Sequence, residues 1–143
     1  MIQLIKDIPT FEAKCTDCGK SFVHPSVGDF AYGEAVLTGR NSNLYAWISA
    51  FDEFPKKVNT LISKLGANNP GILWKVLALL ADPVEGQTLS EKLFCQNCGS
   101  DNLAFWCGTK IGSVEVPAAA FNTATALDEI ALGNRISEIL RKA

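Results

Sequence analysis

Apolar residues recur along this chain at two different periods, and the changes between the periods mark its elements. Phe51, Phe54, Val58, Leu61, Ile62 and Leu65 follow one another at three- and four-residue steps, the spacing of a helix with one buried face. Asp52 stands at the N-cap position, Pro55 lies in the first turn and Gly66 marks the stop. A second helix is predicted from Asn69, with Pro70 at its first position, to Leu80 and the Asp82-Pro83 stop; its apolar positions run nearly all round. Ahead of both, the aromatic and β-branched runs Phe30 to Leu37 and Leu44 to Ile48 flank turn residues, which predicts a hairpin.

Shorter alternating runs lie outside this α/β segment. Ile2 to Ile8 reads as a lead-in ended by Pro9; Phe11 to Lys14 and Ser21 to His24 read as a strand pair, and so do Thr88 to Phe94 and Leu103 to Cys107. Val114 to Val116 is a short strand before Pro117, and the small residues of Ala118 to Ala126 suggest a connector. From Thr125, read as an N-cap with Asp128 and Glu129 in the first turn, a helix is predicted to Arg141 and Lys142. Its apolar residues form two stripes. Leu127, Ile130 and Ala131 cluster on one side and Leu132, Ile136, Ile139 and Leu140 on the other, with the change at Gly133-Asn134. The helix either breaks there or turns one stripe outward.

Each outer strand pair encloses the same pattern: Cys15-Thr16-Asp17-Cys18-Gly19 and Cys95-Gln96-Asn97-Cys98-Gly99. Two Cys-x-x-Cys turns supply four soft ligands, which is what a tetrahedral zinc takes at about 2.3 Å. Gly after the second cysteine suits a turn with positive φ. Redox dithiols fit less well, because each pair is followed by Gly and strand-like residues rather than by a helix. Iron, which takes the same ligands, is the alternative metal. The pair resembles the knuckles of the zinc-ribbon and rubredoxin-like superfamily over about residues 11–24 and 91–107, with Cys15, Cys18, Cys95 and Cys98 matching its four metal ligands. The expected architecture is α+β in a single zinc-stabilised domain, residues 1–143. Two knuckle hairpins bracket an insert over 28–83, with a C-terminal helix over about 125–142.

Composition narrows the function classes. At 143 residues and 48% hydrophobic content the chain has enough apolar material for a core, and the longest apolar run is interrupted by Lys75, too short for a bilayer. The start of the chain lacks the features of a signal peptide, so a reducing, cytoplasmic setting is expected for the thiols. Basic and acidic residues balance to within one charge in residues 1–50, 51–100 and 101–143, with −2 overall, so no basic block awaits a phosphate backbone.

No catalytic motif stands out. His24 is the single histidine, and no phosphate-binding Gly-rich loop or Gly-x-Ser-x-Gly elbow is present. A closed four-thiolate site also has no open coordination position. A Cys107–His24 pair is the one sharp catalytic idea, against the blander reading of a packed cysteine and a turn histidine. An enzyme using Asp29, Glu34, Asp52 or Glu53 lacks a defining motif. The expectation is a non-enzymatic zinc-binding protein-interaction module, of the kind found among small bacterial regulatory, adaptor or toxin-immunity proteins. Its partner is another protein or a second copy, and its interface is expected to include Trp74, Ile136, Ile139 and Leu140. The alternative is a nucleic-acid-binding zinc ribbon, with Trp47, Trp106, Tyr32 and Tyr45 stacking beside Lys14, Lys20 and Arg40.

Overall fold

The computed structural model describes residues 5–27, 33–39, 44–67, 71–106 and 108–142. They form two antiparallel sheets and four helices, an α+β arrangement ending in a C-terminal helix. In the first sheet the long strand β1 (Ile5–Cys15) is central. Strand β2 (Ser21–Pro25) lies along one edge of it, and β6 (Leu103–Phe105) and β7 (Lys110–Pro117) follow one another along the other. The second sheet has the order β4-β3-β5, from β3 (Glu34–Gly39), β4 (Tyr45–Ser49) and the short β5 (Leu89–Ser90).

Pro9 does not end the first strand. Its carbonyl accepts from the Ser26 amide at 3.0 Å, so its nitrogen faces the same edge, just where pairing with β2 stops at Thr10↔Pro25. The missing N–H therefore costs no ladder bond. Strand β7 is longer than its apolar residues suggest, because it pairs with β1 from Ile5↔Pro117 to Phe11↔Lys110. The runs flanking the second Cys-x-x-Cys turn do not pair with each other: β5 joins β3, and β6 joins β1. Among the described residues only the first turn sits in a hairpin of its own, and the second bridges the two sheets.

Helices α1 (Glu53–Lys64), α2 (Ile72–Leu80) and α4 (Glu129–Lys142) form the second layer against the β4-β3-β5 sheet. Val58 and Ile62 of α1, Val76, Leu77 and Leu80 of α2, and Leu132, Ile136 and Ile139 of α4 meet Leu37, Ala46, Ile48 and Leu89 in one core. The predicted start of α2 at Asn69-Pro70 lies outside the described residues; Gly71, with φ of 85°, precedes the first helical residue. Asp82, read from the sequence as part of a helix stop, turns its carboxylate to the amides of Asn122 and Thr123 at 2.9 and 3.1 Å and caps the short helix α3 (Asn122–Thr125). Burial raises its pKa, but these backbone bonds outweigh it and hold the carboxyl below its usual value.

The C-terminal helix corrects two expectations. It begins after Asp128, whose Oδ1 accepts from the Ala131 amide at 2.7 Å, and Thr125 instead closes α3 through Asn122. It then runs unbroken through Gly133, where an added Cβ would meet nothing within 4 Å. The outward stripe is the one carrying Ile130, which is 78% exposed, whereas Ile136 is fully buried and Ile139 nearly so. Leu140 and Trp74 pack against the same core. Ile136 and Ile139 are thus core residues rather than an interface: Leu132, Ile136 and Ile139 recur at four- and three-residue steps and fill the groove over α1 and α2. Asp128→Ala is expected to cost about 1 kcal/mol through loss of the cap, read as a lowered thermal midpoint with the helix retained.

Candidate metal centre

The two Cys-x-x-Cys turns have the same backbone. Cys15 donates to Lys20 O at 3.0 Å and accepts from Gly19 at 3.0 Å; Cys95 donates to Ser100 O at 2.7 Å and accepts from Gly99 at 2.9 Å. Gly19 and Gly99 both take the left-handed conformation, with φ of 72° and 77°, which lets the chain reverse directly after the second thiol. In each turn an amide points at the first sulfur: Cys18 N lies 3.5 Å from Cys15 Sγ, and Asn97 N lies 3.4 Å from Cys95 Sγ. Such donors stabilise negative charge on sulfur.

The strands bring the two turns face to face. Cys15 ends β1, whose edge is paired with β6 just beyond the second turn, and the Thr16 amide donates to Asn102 O at 2.9 Å. Side chains add to this clamp. Asp17 accepts from Ser100 Oγ at 2.5 Å and from Asn102 Nδ2 at 3.2 Å, and these two bonds hold its carboxyl below the usual range. Gln96 donates to Val23 O at 2.9 Å and to the Tyr45 hydroxyl at 2.6 Å, so the second turn is tied to both sheets. None of these polar partners carries a recognisable sequence signal, because each pair is made across the fold.

Four sulfurs result, all within 4.8 Å of one another, with Cys15–Cys98 and Cys18–Cys95 each at 3.6 Å. A metal with bonds of about 2.3 Å in a tetrahedron sets its sulfurs about 3.8 Å apart, so the spacing fits one ion. The cluster is positioned to bind a metal ion and is consistent with a zinc-ribbon-like site. Cys15 and Cys95 are buried, Cys18 is half-buried and Cys98 is exposed, so the site opens to solvent on one side only. As bare thiols the four ionise unequally. The Lys20 backbone bond leads in drawing Cys18 down to about 6. At Cys98 the Ser100 backbone bond pulls downward, but the Cys15 sulfur, burial and the other two sulfurs push the thiol up to about 12. Four crowded thiolates need a cation among them to be charged together.

The other sequence candidates disperse. His24 is buried, and its ring nitrogens face the carbonyls of Pro25, at 3.2 Å, and Trp106. Cys107 lies outside the described residues, as do Asp29, Tyr32 and Arg40. Glu34 is paired with Lys6 at 2.5 Å, Asp52 precedes α1 without a side-chain cap bond, and Glu53 is exposed in its first turn. Trp47 lies under Lys6, whose ammonium is 5.4 Å from the ring centroid, and Tyr45 is engaged by Gln96. Lys20 reaches Asn97 at 3.5 Å, across the two turns. Lys14 stands opposite Phe105 in the sheet, and Trp106 is exposed.

No helix among the described residues is long and apolar enough to cross a membrane. Comparison with protein-family models, curated proteins and solved structures finds no match to the chain.

Proposed function

We propose that this chain is a non-enzymatic protein-interaction module whose fold is held by one structural zinc on Cys15, Cys18, Cys95 and Cys98. Four thiolates at tetrahedral spacing suit zinc, with iron as the alternative, and such a set fills every coordination position of the ion. The metal then serves architecture: it fastens the β5 side of the second sheet to the end of β1.

The observation that carries the interaction reading is an apolar strip on one face of the first sheet. Val114, Val23 and Phe105 stand opposite Ile8, Glu12 and Lys14, alternate positions of β1, and so share one face of the sheet. At the Ile8 end the second sheet approaches this face, through Lys6 with Glu34 and Trp47. Toward the knuckles it opens to water, leaving Val23 40% and Phe105 38% exposed, and Val114, on the edge strand beside Ile8, is 42% exposed. A row of such residues on a rigid sheet suits a protein partner. Lys14 opposite exposed Phe105 favours the nucleic-acid reading as runner-up, while the balanced charge weighs against it.

Elemental analysis should find one zinc per chain. Affinity isolation with the wild type and with Val23→Ser/Phe105→Ser then tests the strip. A protein retained by the wild type and lost by the variant at unchanged zinc content supports the reading. Equal recovery with both sinks the assignment of the strip, and salt-sensitive binding of single-stranded or duplex probes without a protein partner shifts it to the nucleic-acid class.

A further inference from the structure

The outer edge of β7 carries a pattern that specifies its own partner. Among the described residues β7 pairs along its length with β1, and Lys110 to Glu115 are all exposed. Just past its end Ala118 bridges Trp47 of β4, whose carbonyl accepts from the Ala119 amide at 2.8 Å. Glu12 of β1 donates to Thr109 O at 3.0 Å and accepts from the Gly108 amide at 2.8 Å, so it turns its backbone toward this side. By alternation Thr10 and Ile8 do the same, and their partners Gly112 and Val114 bond inward. Ser113 and Glu115 therefore direct their amides and carbonyls away from β1, into the stretch of edge that ends where Trp47 meets Ala118. The register then skips Ile111, since Thr10 stands opposite Gly112 and Phe11 opposite Lys110. Ile111 is the extra residue of a bulge, and Lys110 returns to the outward-bonding set.

With the bulge counted out, Lys110, Gly112, Ser113, Val114 and Glu115 occupy five successive ladder positions, symmetric about Ser113. We infer that β7 pairs antiparallel with β7 of a second copy of this chain, about a two-fold axis at Ser113, joining two sheets into one. In that register Ser113 faces Ser113 of the partner subunit and forms the bonded pair at the axis. Lys110 faces Glu115 of the partner subunit, and the symmetry makes this ion pair twice. Gly112 faces Val114 of the partner subunit. Gly112 has no side chain to crowd it, and the Val114 residues of the two copies bring both apolar strips together. Centring the pairing on Glu115 or on Lys110 would instead set like charges face to face. A bulge and a lysine ordinarily keep an edge from pairing; here the Lys110–Glu115 pairing favours the Ser113 register over those centred on Glu115 or Lys110. The inference rests on the interaction-module reading and names the partner as a second copy.

Sedimentation velocity of the zinc-loaded chain over a series of concentrations tests it. A monomer–dimer equilibrium is expected. Lys110→Glu and Glu115→Lys should each weaken it by about tenfold or more, since each converts two opposite-charge pairs into two like-charge pairs. The double variant Lys110→Glu/Glu115→Lys should restore it, and Ser113→Pro, which removes the amide at the axis, should abolish it. Zinc content and circular dichroism report that each variant is folded. A zinc-loaded wild type that is monomeric at every concentration overturns the dimer, as does a dimer indifferent to Lys110→Glu. Those results leave the broader reading to the Val23→Ser/Phe105→Ser comparison, which fails or stands separately.

Discussion

Cys95→Ser is expected to strip the chain of its metal and to take most of its stability with it. The side chain is buried in the four-sulfur cluster, so a serine there leaves a hydroxyl in a dry position with no thiolate to complete the tetrahedron. A site of this kind returns an apparent 10–16 kcal/mol in zinc-finger peptides, roughly the whole stability of an ordinary domain. Part of that offsets the roughly 4 kcal/mol of chain entropy needed to close the segment between the two turns. Chelation of the wild type should give the same result. Cys98→Ser should be milder, because Cys98 is exposed and water can take up the fourth position. Zinc content and the midpoint of denaturant unfolding are the measurements; a metal-free Cys95→Ser protein with the wild-type midpoint would refute a structural role for the centre.

Ile136→Asp is expected to prevent folding. The residue has no exposed surface and lies among Leu132, Ile139 and the helices beneath them, so a carboxylate there has neither water nor a cation. Ile136→Ala isolates the packing part and should cost about 2–5 kcal/mol, according to how far the cavity collapses. Ile130→Asp, six residues away on the exposed side of the same helix, should change stability by no more than about 0.5 kcal/mol. Chemical denaturation of the three variants separates the stripes, and comparable losses at Ile130 and Ile136 would overturn the assignment of the buried face.

The features legible in the sequence are those fixed by local chemistry. The paired thiol turns, the α1 periodicity from Phe54 to Ile62, the apolar run of α2 and the β3–β4 hairpin each have their signal within a dozen or so residues. What escaped depends on residues far apart in the chain. Strand β7 pairs along its length with β1 yet exposes Lys110 to Glu115, so it lacks the alternation that marks a half-buried strand. Pro9 looked like a break because only the position of Ser26 shows that its nitrogen lies beyond the β2 pairing. The second thiol turn has the local grammar of a hairpin, but its flanking strands find better partners in β3 and β1. On α4 the two apolar stripes are similar in size, and the sequence carries no mark of which one meets the core.

The placement of β1 also sets an order of events during folding. Its pairing with β7 joins residues roughly a hundred positions apart, as in Phe11↔Lys110, whereas the β3–β4 hairpin and the turn between β1 and β2 close over short spans. On a ribosome the amino-terminal hairpin emerges first, with one edge of its central strand bare until the chain has been made past Pro117. Local pieces can settle within that interval, whereas the first sheet waits for β7 and the core of the second layer for α4, which follows it in the chain. The thiol turn at Cys95 is translated before β6 and β7, so an ion taken up by the four thiolates would tether the carboxyl-terminal strands beside their gap and shorten the search that makes such topologies slow.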